Sequence, residues 1–283
     1  MGMSKYTELY DRVMNYLNAQ DWDSAYSLVK NGDLQGDGNA SAILAEFYIH
    51  GVGVSEDVEM GIELLEKAIS RGCIEAADTL GSLYLIGEKV PRDDRKGVSY
   101  IIKAAEMDDS LSMGKLANAY LNGHGVLEDY SKALEWGMKA AKFGDKNGME
   151  VVAILYDDGL GVYRDPMQAA HWYRECLQQD PDNAFYMYRL VVCLADPFED
   201  FNLHPDYSML EEAFSWASKG VEKGDLDCHM MIAWFYETGK VVNQDFDMAY
   251  KFFKIAADNG HKMSIELIKR YRRNIFGNYY LPQ

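Results

Sequence analysis

Ser27 and Lys30 form S-x-x-K, the nucleophile motif of serine β-lactamases and penicillin-binding proteins. Its companions S-D-N and K-T-G are absent, so no acyl transfer is expected there. Asp33-x-Gln35-x-Asp37-Gly38 opens like a calcium loop, but its twelfth position is Leu44 where the ion needs a bidentate Glu. Gly51-Val-Gly53-Val54 and Gly159-Leu-Gly161-Val162 invite a phosphate-loop reading, yet neither carries G-x-x-x-x-G-K-[ST]. The six histidines make no H-x-x-x-H or H-E-x-x-H, and the four cysteines make no C-x-x-C. The acid pairs Asp108-Asp109 and Asp157-Asp158 are consecutive, so their side chains point to different faces and cannot share a proton. No nucleophile, base and oxyanion donor converge, so the expectation is a non-enzyme without catalytic residues, metal or cofactor.

Charge narrows the partners. The chain of 283 residues carries 28 Lys and Arg against 45 Asp and Glu, a formal charge of −17. Nucleic-acid affinity rests on Lys and Arg, so a phosphate-backbone binder is excluded, and anionic lipid is equally disfavoured. No apolar run approaches a signal h-region or the 18 residues of a membrane span. With no membrane or nucleic-acid partner, a cytoplasmic monomer is expected.

The elements that must position any site repeat themselves. Tyr48, Tyr84, Tyr120 and Tyr156 recur at a fixed step, as do Gly51, Gly87, Gly123 and Gly159, and Asp57, Asp93, Asp129 and Asp165. Tyr236, Gly239 and Asp245 return in the same register after one unit that carries eight extra residues. Within a unit, Leu116, Ala119, Tyr120 and Gly123 follow helical spacing, and Gly123 suits a left-handed C′ position. Asp129 stands where an N-cap belongs, and its counterpart Asp165 precedes Pro166, the favoured first helical residue. Ala133, Trp136, Ala140 and Ala141 then form the face of a second helix. The glycine pairs are therefore turn glycines, and each unit reads as two helices.

The pattern from Leu116-Ala117-x-x-Tyr120 through Gly123-x-Gly125-Val126, Asp129, Ala133, Trp136 and Ala140-Ala141 to Gly144 resembles the Sel-1-like repeat family, a relative of the tetratricopeptide repeat. The resemblance implies an all-α fold, an α/α superhelical solenoid of stacked helix-turn-helix repeats, forming one domain over 1–283. Regular repeats are expected at 38–73, 74–109, 110–145, 146–181 and 226–261. Residues 182–225 are a degenerate repeat holding the insertion, 4–37 a divergent N-terminal helix pair, and 262–283 a capping helix (262–275) and tail.

The resemblance also implies function: such repeats act as adaptors that hold protein partners, with the first helix of each pair lining the binding groove. By register, the expected lining includes Glu46, Glu75, Asp78, Leu85, Leu121, Glu150, Ile154, Asp157, Asp158, Met230, Trp234 and Glu237. These positions hold acids and apolar groups without Lys or Arg, which suits a protein or peptide segment that is basic and hydrophobic. Trp234 is the expected anchor, because aromatics dominate interface energetics. Alternatives are a regulatory or immunity-type subunit that masks one enzyme, and an uncharacterised hydrolase.

The insertion is a second candidate site. Arg189 falls where Ala45, Gly81, Ala117, Ala153 and Ala233 stand elsewhere, and a charge at a close helix crossing requires a partner. Glu199 or Asp200 is expected to supply it, with Phe198 and Phe201 packing back over the unit. Ser208-x-x-Glu211 reads as the capping box that restarts the second helix.

Overall fold

The computed structural model describes residues 5–196, 206–274 and 277–282. The fold is an all-α solenoid of helix hairpins in two compact units, residues 1–148 and 149–283. Four hairpins build the first: α1 (Lys5–Asn18) with α2 (Trp22–Leu34), α3 (Gly38–His50) with α4 (Val58–Ser70), α5 (Ile74–Ile86) with α6 (Asp94–Glu106), and α7 (Ser110–Asn122) with α8 (Tyr130–Lys142). Helix α9 (Lys146–Asp158) leads into the second unit. There follow α10 (Pro166–Gln179), the pair α11 (Ala184–Ala195) and α12 (Tyr207–Glu222), the pair α13 (Leu226–Thr238) and α14 (Phe246–Asp258), and the short α15 (Lys262–Ile268). Strands β1 (Arg272–Arg273) and β2 (Tyr279–Tyr280) pair antiparallel at the end. Among the described residues no helix is long and apolar enough to cross a membrane.

The periodic residues are the hairpin turn. Gly51, Gly87, Gly123 and Gly239 close their first helices in the left-handed region, with φ between 66° and 75°. The aspartates cap the second helices: the carboxylates of Asp57, Asp93 and Asp129 accept from the backbone N–H groups of Met60, Lys96 and Lys132. Each aspartate also donates its own N–H to the carbonyl of the periodic tyrosine, as Asp93 does to Tyr84 at 3.0 Å and Asp245 to Tyr236 at 2.9 Å. Tyrosine and aspartate therefore share a period because their backbones close the same loop.

Small residues set how closely the helices cross. A Cβ on Gly81 would stand 3.0 Å from the Gly97 carbonyl oxygen, and one on Gly97 would stand 3.0 Å from that of Gly81. Leu44, Leu65 and Leu80 fill the first unit, and Tyr173, Met187, Phe235 and Phe253 the second, all fully buried. Cys176 is fully buried in the register that Ala104 and Ala140 hold in earlier repeats.

Two expectations at the irregular ends need correction. Helix α12 is capped by Asp206, whose carboxylate accepts from the Met209 N–H at 2.9 Å, and Ser208 lies inside the first turn, donating to Asp206 at 2.8 Å. The terminal helix stops at Ile268, short of the residue 275 expected for the capping helix. The chain turns there so that Tyr271 can bury its ring against Phe246, Tyr250 and Phe253 on α14.

Candidate functional site

The acids expected along the binding face sit on first helices, but hydrogen-bond donors from neighbouring helices hold them. Tyr6 donates to Glu46 at 3.2 Å, and burial of Glu46 raises its carboxyl above the usual carboxylate range. Lys115 reaches from α7 to Asp78 on α5 at 2.5 Å, joined by the Ser112 hydroxyl at 3.1 Å. Tyr186 donates to Glu150 at 2.8 Å. Glu237 accepts from Arg270 at 3.0 Å and Tyr271 at 2.6 Å. Glu75 is half-buried and takes a long contact, 3.6 Å, from the Cys73 thiol. The contacts to Glu46, Asp78 and Glu150 link first helices of successive repeats, and those to Glu237 come from the segment that follows α15, so most of the expected acidic lining fastens one hairpin to the next.

Asp157 is not part of any open lining. It is 2% exposed, and Arg189 reaches it at 2.6 Å while also bonding Asp158 at 2.6 Å. The Tyr173 hydroxyl completes the cluster, 3.2 Å from both Asp157 and Arg189. Burial holds the Asp157 carboxyl above the usual range, against the pull of Arg189. Arg189 thus has its partners on α9. The partners expected in the insertion, Glu199 and Asp200, lie outside the described residues, as do Phe198 and Phe201.

Three expected residues do converge. Met230, Trp234 and Glu237 on α13 line one pocket of about 290 Å³ in the second unit. Phe253 of α14, with Met263 and Leu267 of α15, completes its apolar wall, and Arg270 stands at its rim. The Trp234 ring is partly exposed, lies edge-on to Phe235, and has the Lys240 ammonium 4.7 Å above it. Sequence reasoning missed Met263, Leu267 and Arg270. Their signal was register: α15 continues the repeat spacing from α13, so the expected cap is half of a further repeat.

The first unit presents two clefts on the same class of helices. Glu46, Ile49, Asp78 and Ile86 line one of about 440 Å³. Leu85 helps line another of about 340 Å³, together with Lys115 and Asn118. Leu121 and Ile154 are half-buried on α7 and α9.

The chemistry-bearing motifs resolve into structure. Asp33 is buried and holds Lys67 at 2.8 Å, Arg71 at 2.9 Å and Ser41 at 2.8 Å, while Asp37 caps α3. Asp227, His261 and Ser264 form a triad-like chain at 3.0 and 2.7 Å, but Ser264 is fully buried and His261 serves as the N-cap of α15. Burial pushes the Cys73 thiol up to about 12, so it stays protonated at neutral pH. Among the described residues no group of His, Cys, Asp and Glu could hold a metal ion.

Known proteins agree with this architecture. The Sel1 repeat model matches residues 39–73, 74–109, 110–145, 148–175 and 226–261, more than half of the chain. The chain belongs to the Sel1 repeat family, whose repeats generally mediate protein–protein interaction. No curated protein matches it in sequence. Among solved structures it is similar to a protective antigen of uropathogenic Escherichia coli strains displaying an SLR fold, with a TM-score of 0.75 and 24% identity over 93% of this chain. The chain spans 56% of that antigen. It is also similar to a Sel1 repeat protein from Oxalobacter formigenes, with a TM-score of 0.60 and 21% identity over 88% of this chain and 96% of the other. The C-terminal part of a TPR repeat-containing protein from Cytophaga hutchinsonii gives 0.54 and 13%, over 91% and 98%. At these identities the likeness is one of fold.

Proposed function

We propose that this protein is a non-catalytic adaptor that binds a protein or peptide segment through first-helix surfaces, with the pocket beside Trp234 as its anchor point. The methionine-rich lining of that pocket carries the reading. Met230, Met231 and Met263 surround a partly exposed indole, and unbranched thioethers adapt to an inserted side chain at low cost. An aromatic anchor in a preformed apolar pocket is how a small surface gains binding energy. The partner we infer is hydrophobic at this point and basic overall. Its charge is selected by the field of a −17 chain during encounter, since donors within the fold already hold most of the lining acids. The four buried cysteines, none of them in a disulfide, fit a reducing, cytoplasmic setting.

The test is capture of partners from the native host by the intact chain, with cross-links mapped by mass spectrometry. Trp234→Ala should abolish capture of the main partner while leaving the melting curve of the chain in place. Cross-links confined to second helices, or capture indifferent to Trp234→Ala, would remove this reading.

A further inference from the structure

The 340 Å³ cleft of the first unit has an apolar floor of Leu85, Val98, Ile101 and Ala119. Its rim holds Lys115, Asn118, Asn147, Arg92 and His124, and a single acid, Asp94. Arg92 closes on Asp94 through two bonds, at 2.7 and 3.1 Å, so that acid is already neutralised. An ammonium has three protons; Lys115 gives one to Asp78, and its contact with Ser82 is long, at 3.5 Å. The Asn118 carbonyl oxygen accepts from Asn122, which leaves its own NH2 group to donate. Gly114 brings Asn147 to the rim: a Cβ on Gly114 would overlap the Asp145 carboxylate and stand 3.2 Å from the Asn147 Cβ.

We propose that this cleft binds a carboxylate carried on a short apolar body. The body covers the aliphatic floor, and the carboxylate takes the remaining Lys115 proton and the amide protons of Asn118 and Asn147. A cation would meet the Lys115 ammonium, and the acids beside the cleft, Asp78 and Asp94, are already engaged by Lys115 and Arg92. A neutral body would leave the Asn118 and Asn147 amides desolvated without an acceptor, which is costly. The −17 charge of the chain does not forbid an anion here, because distant exposed charges are screened beyond about 8 Å at physiological salt. The site shares no lining residue with the Trp234 pocket, and it does not depend on the adaptor reading. Its ligand is either a free small acid or the carboxyl end of a peptide, which offer the same chemistry.

Calorimetric titration of the full chain with hydrocinnamate, and with its amide as the uncharged twin, tests the site. The acid should bind at least about tenfold more tightly than the amide, the value of one charge-assisted hydrogen bond. Lys115→Met should weaken the acid by a similar factor, Asn147→Ala by a smaller one, and Asp78→Asn should tighten it by freeing Lys115. Circular dichroism checks that each variant folds; if Lys115→Met does not, Asn147→Ala decides. Two short peptides ending in Phe, one with a free and one with an amidated terminus, distinguish the sources: tighter binding of the free-terminus peptide than of hydrocinnamate assigns a peptide end, and the reverse assigns a small acid. Equal binding of acid and amide, preference for inorganic phosphate, or an Asn147→Ala variant that binds as the parent does overturns the proposal.

Discussion

Arg189 and Asp157 form an ion pair of 2.6 Å in which each residue occupies a position that the first three regular repeats fill with something small or apolar. Ala45, Gly81, Ala117 and Ala153 hold the register of Arg189, and Ile49, Leu85 and Leu121 hold that of Asp157. The arginine is tolerated at the crossing because the preceding first helix gave up its apolar residue for an acid. A double-mutant cycle isolates this dependence. Arg189→Ala alone should cost about 3–5 kcal/mol, because it strands a carboxylate that is nearly inaccessible to water. Arg189→Ala with Asp157→Leu restores the pattern of those three repeats and should recover most of that loss in urea unfolding. Equal destabilisation of the single and double variants would show that the pair is not coupled.

This pair also marks where the sequence was legible. Tyrosine, glycine and aspartate recur for backbone reasons, a left-handed turn and a cap, so their period revealed every regular hairpin. The anomaly at Arg189 is visible in the sequence, and so is its match one repeat earlier, where Asp157 replaces the Ile49, Leu85 and Leu121 of the first three repeats. The acids of the expected binding face follow the same rule: register says which residues share a face, and it does not say that Lys115 or Arg270 will cross to them from the next repeat. Long side chains reach between registers, so polar pairing is the part of a repeat fold that periodicity cannot supply.

Asp33 predicts a pH dependence. Burial alone would raise its carboxyl, but the bonds from Lys67, Ser41 and Arg71 prevail and hold it below its ordinary value. A depressed folded value means that the ionised form is favoured by folding. Its stabilisation is therefore complete above the unfolded value of about 3.9 and is lost as pH falls through the lower folded value. Asp33→Asn should lower the urea midpoint at neutral pH, and the gap to the parent protein should close as pH falls below about 4. Glu46, Asp145 and Asp157 have raised folded values and the opposite sign, so the paired comparison is what isolates Asp33. A gap that stays constant down the acid range would contradict the assignment.

Gly97 sets two effects against each other. Alanine is the better helix former by about 1 kcal/mol, and Ala133, Ala169 and Ala249 occupy the same register elsewhere. In α6, however, the added Cβ would lie 2.7 Å from Leu85 Cγ and 3.0 Å from the Gly81 carbonyl oxygen. A side chain can rotate away, but a helix carbonyl cannot, and overpacking costs about 1–3 kcal/mol. Gly97→Ala should therefore destabilise the first unit by up to about 2 kcal/mol, and Leu85→Ala in the same chain should be less harmful than it is alone. A rise in the urea midpoint with Gly97→Ala would mean that the two helices separate freely.

The C-terminal hairpin is held by one aromatic. Tyr279 stacks on Tyr250 of α14 with ring centroids 3.7 Å apart and planes within 14°, and its backbone N–H donates to Asp247 at 2.7 Å. Arg273 of β1 lies over the other side of the assembly, 4.7 Å from the Tyr279 ring. This contact returns the tail to α14 after α15 stops, and it covers the edge of Tyr271, which in turn bonds Glu237 at the Trp234 pocket. Tyr279→Ala should cost about 1–2 kcal/mol, combining the stacking of one aromatic pair with the apolar area released. Hydrogen exchange should accelerate in α14 and in the backbone around Tyr271, with the amides of α3 to α6 unchanged. Tyr279→Phe keeps the ring and should restore protection, since the stack and the backbone N–H bond to Asp247 both survive. Protection that is lost in Tyr279→Phe as fully as in Tyr279→Ala would assign the anchoring to the hydroxyl, and unchanged protection in both would show that the tail merely rests on the helix.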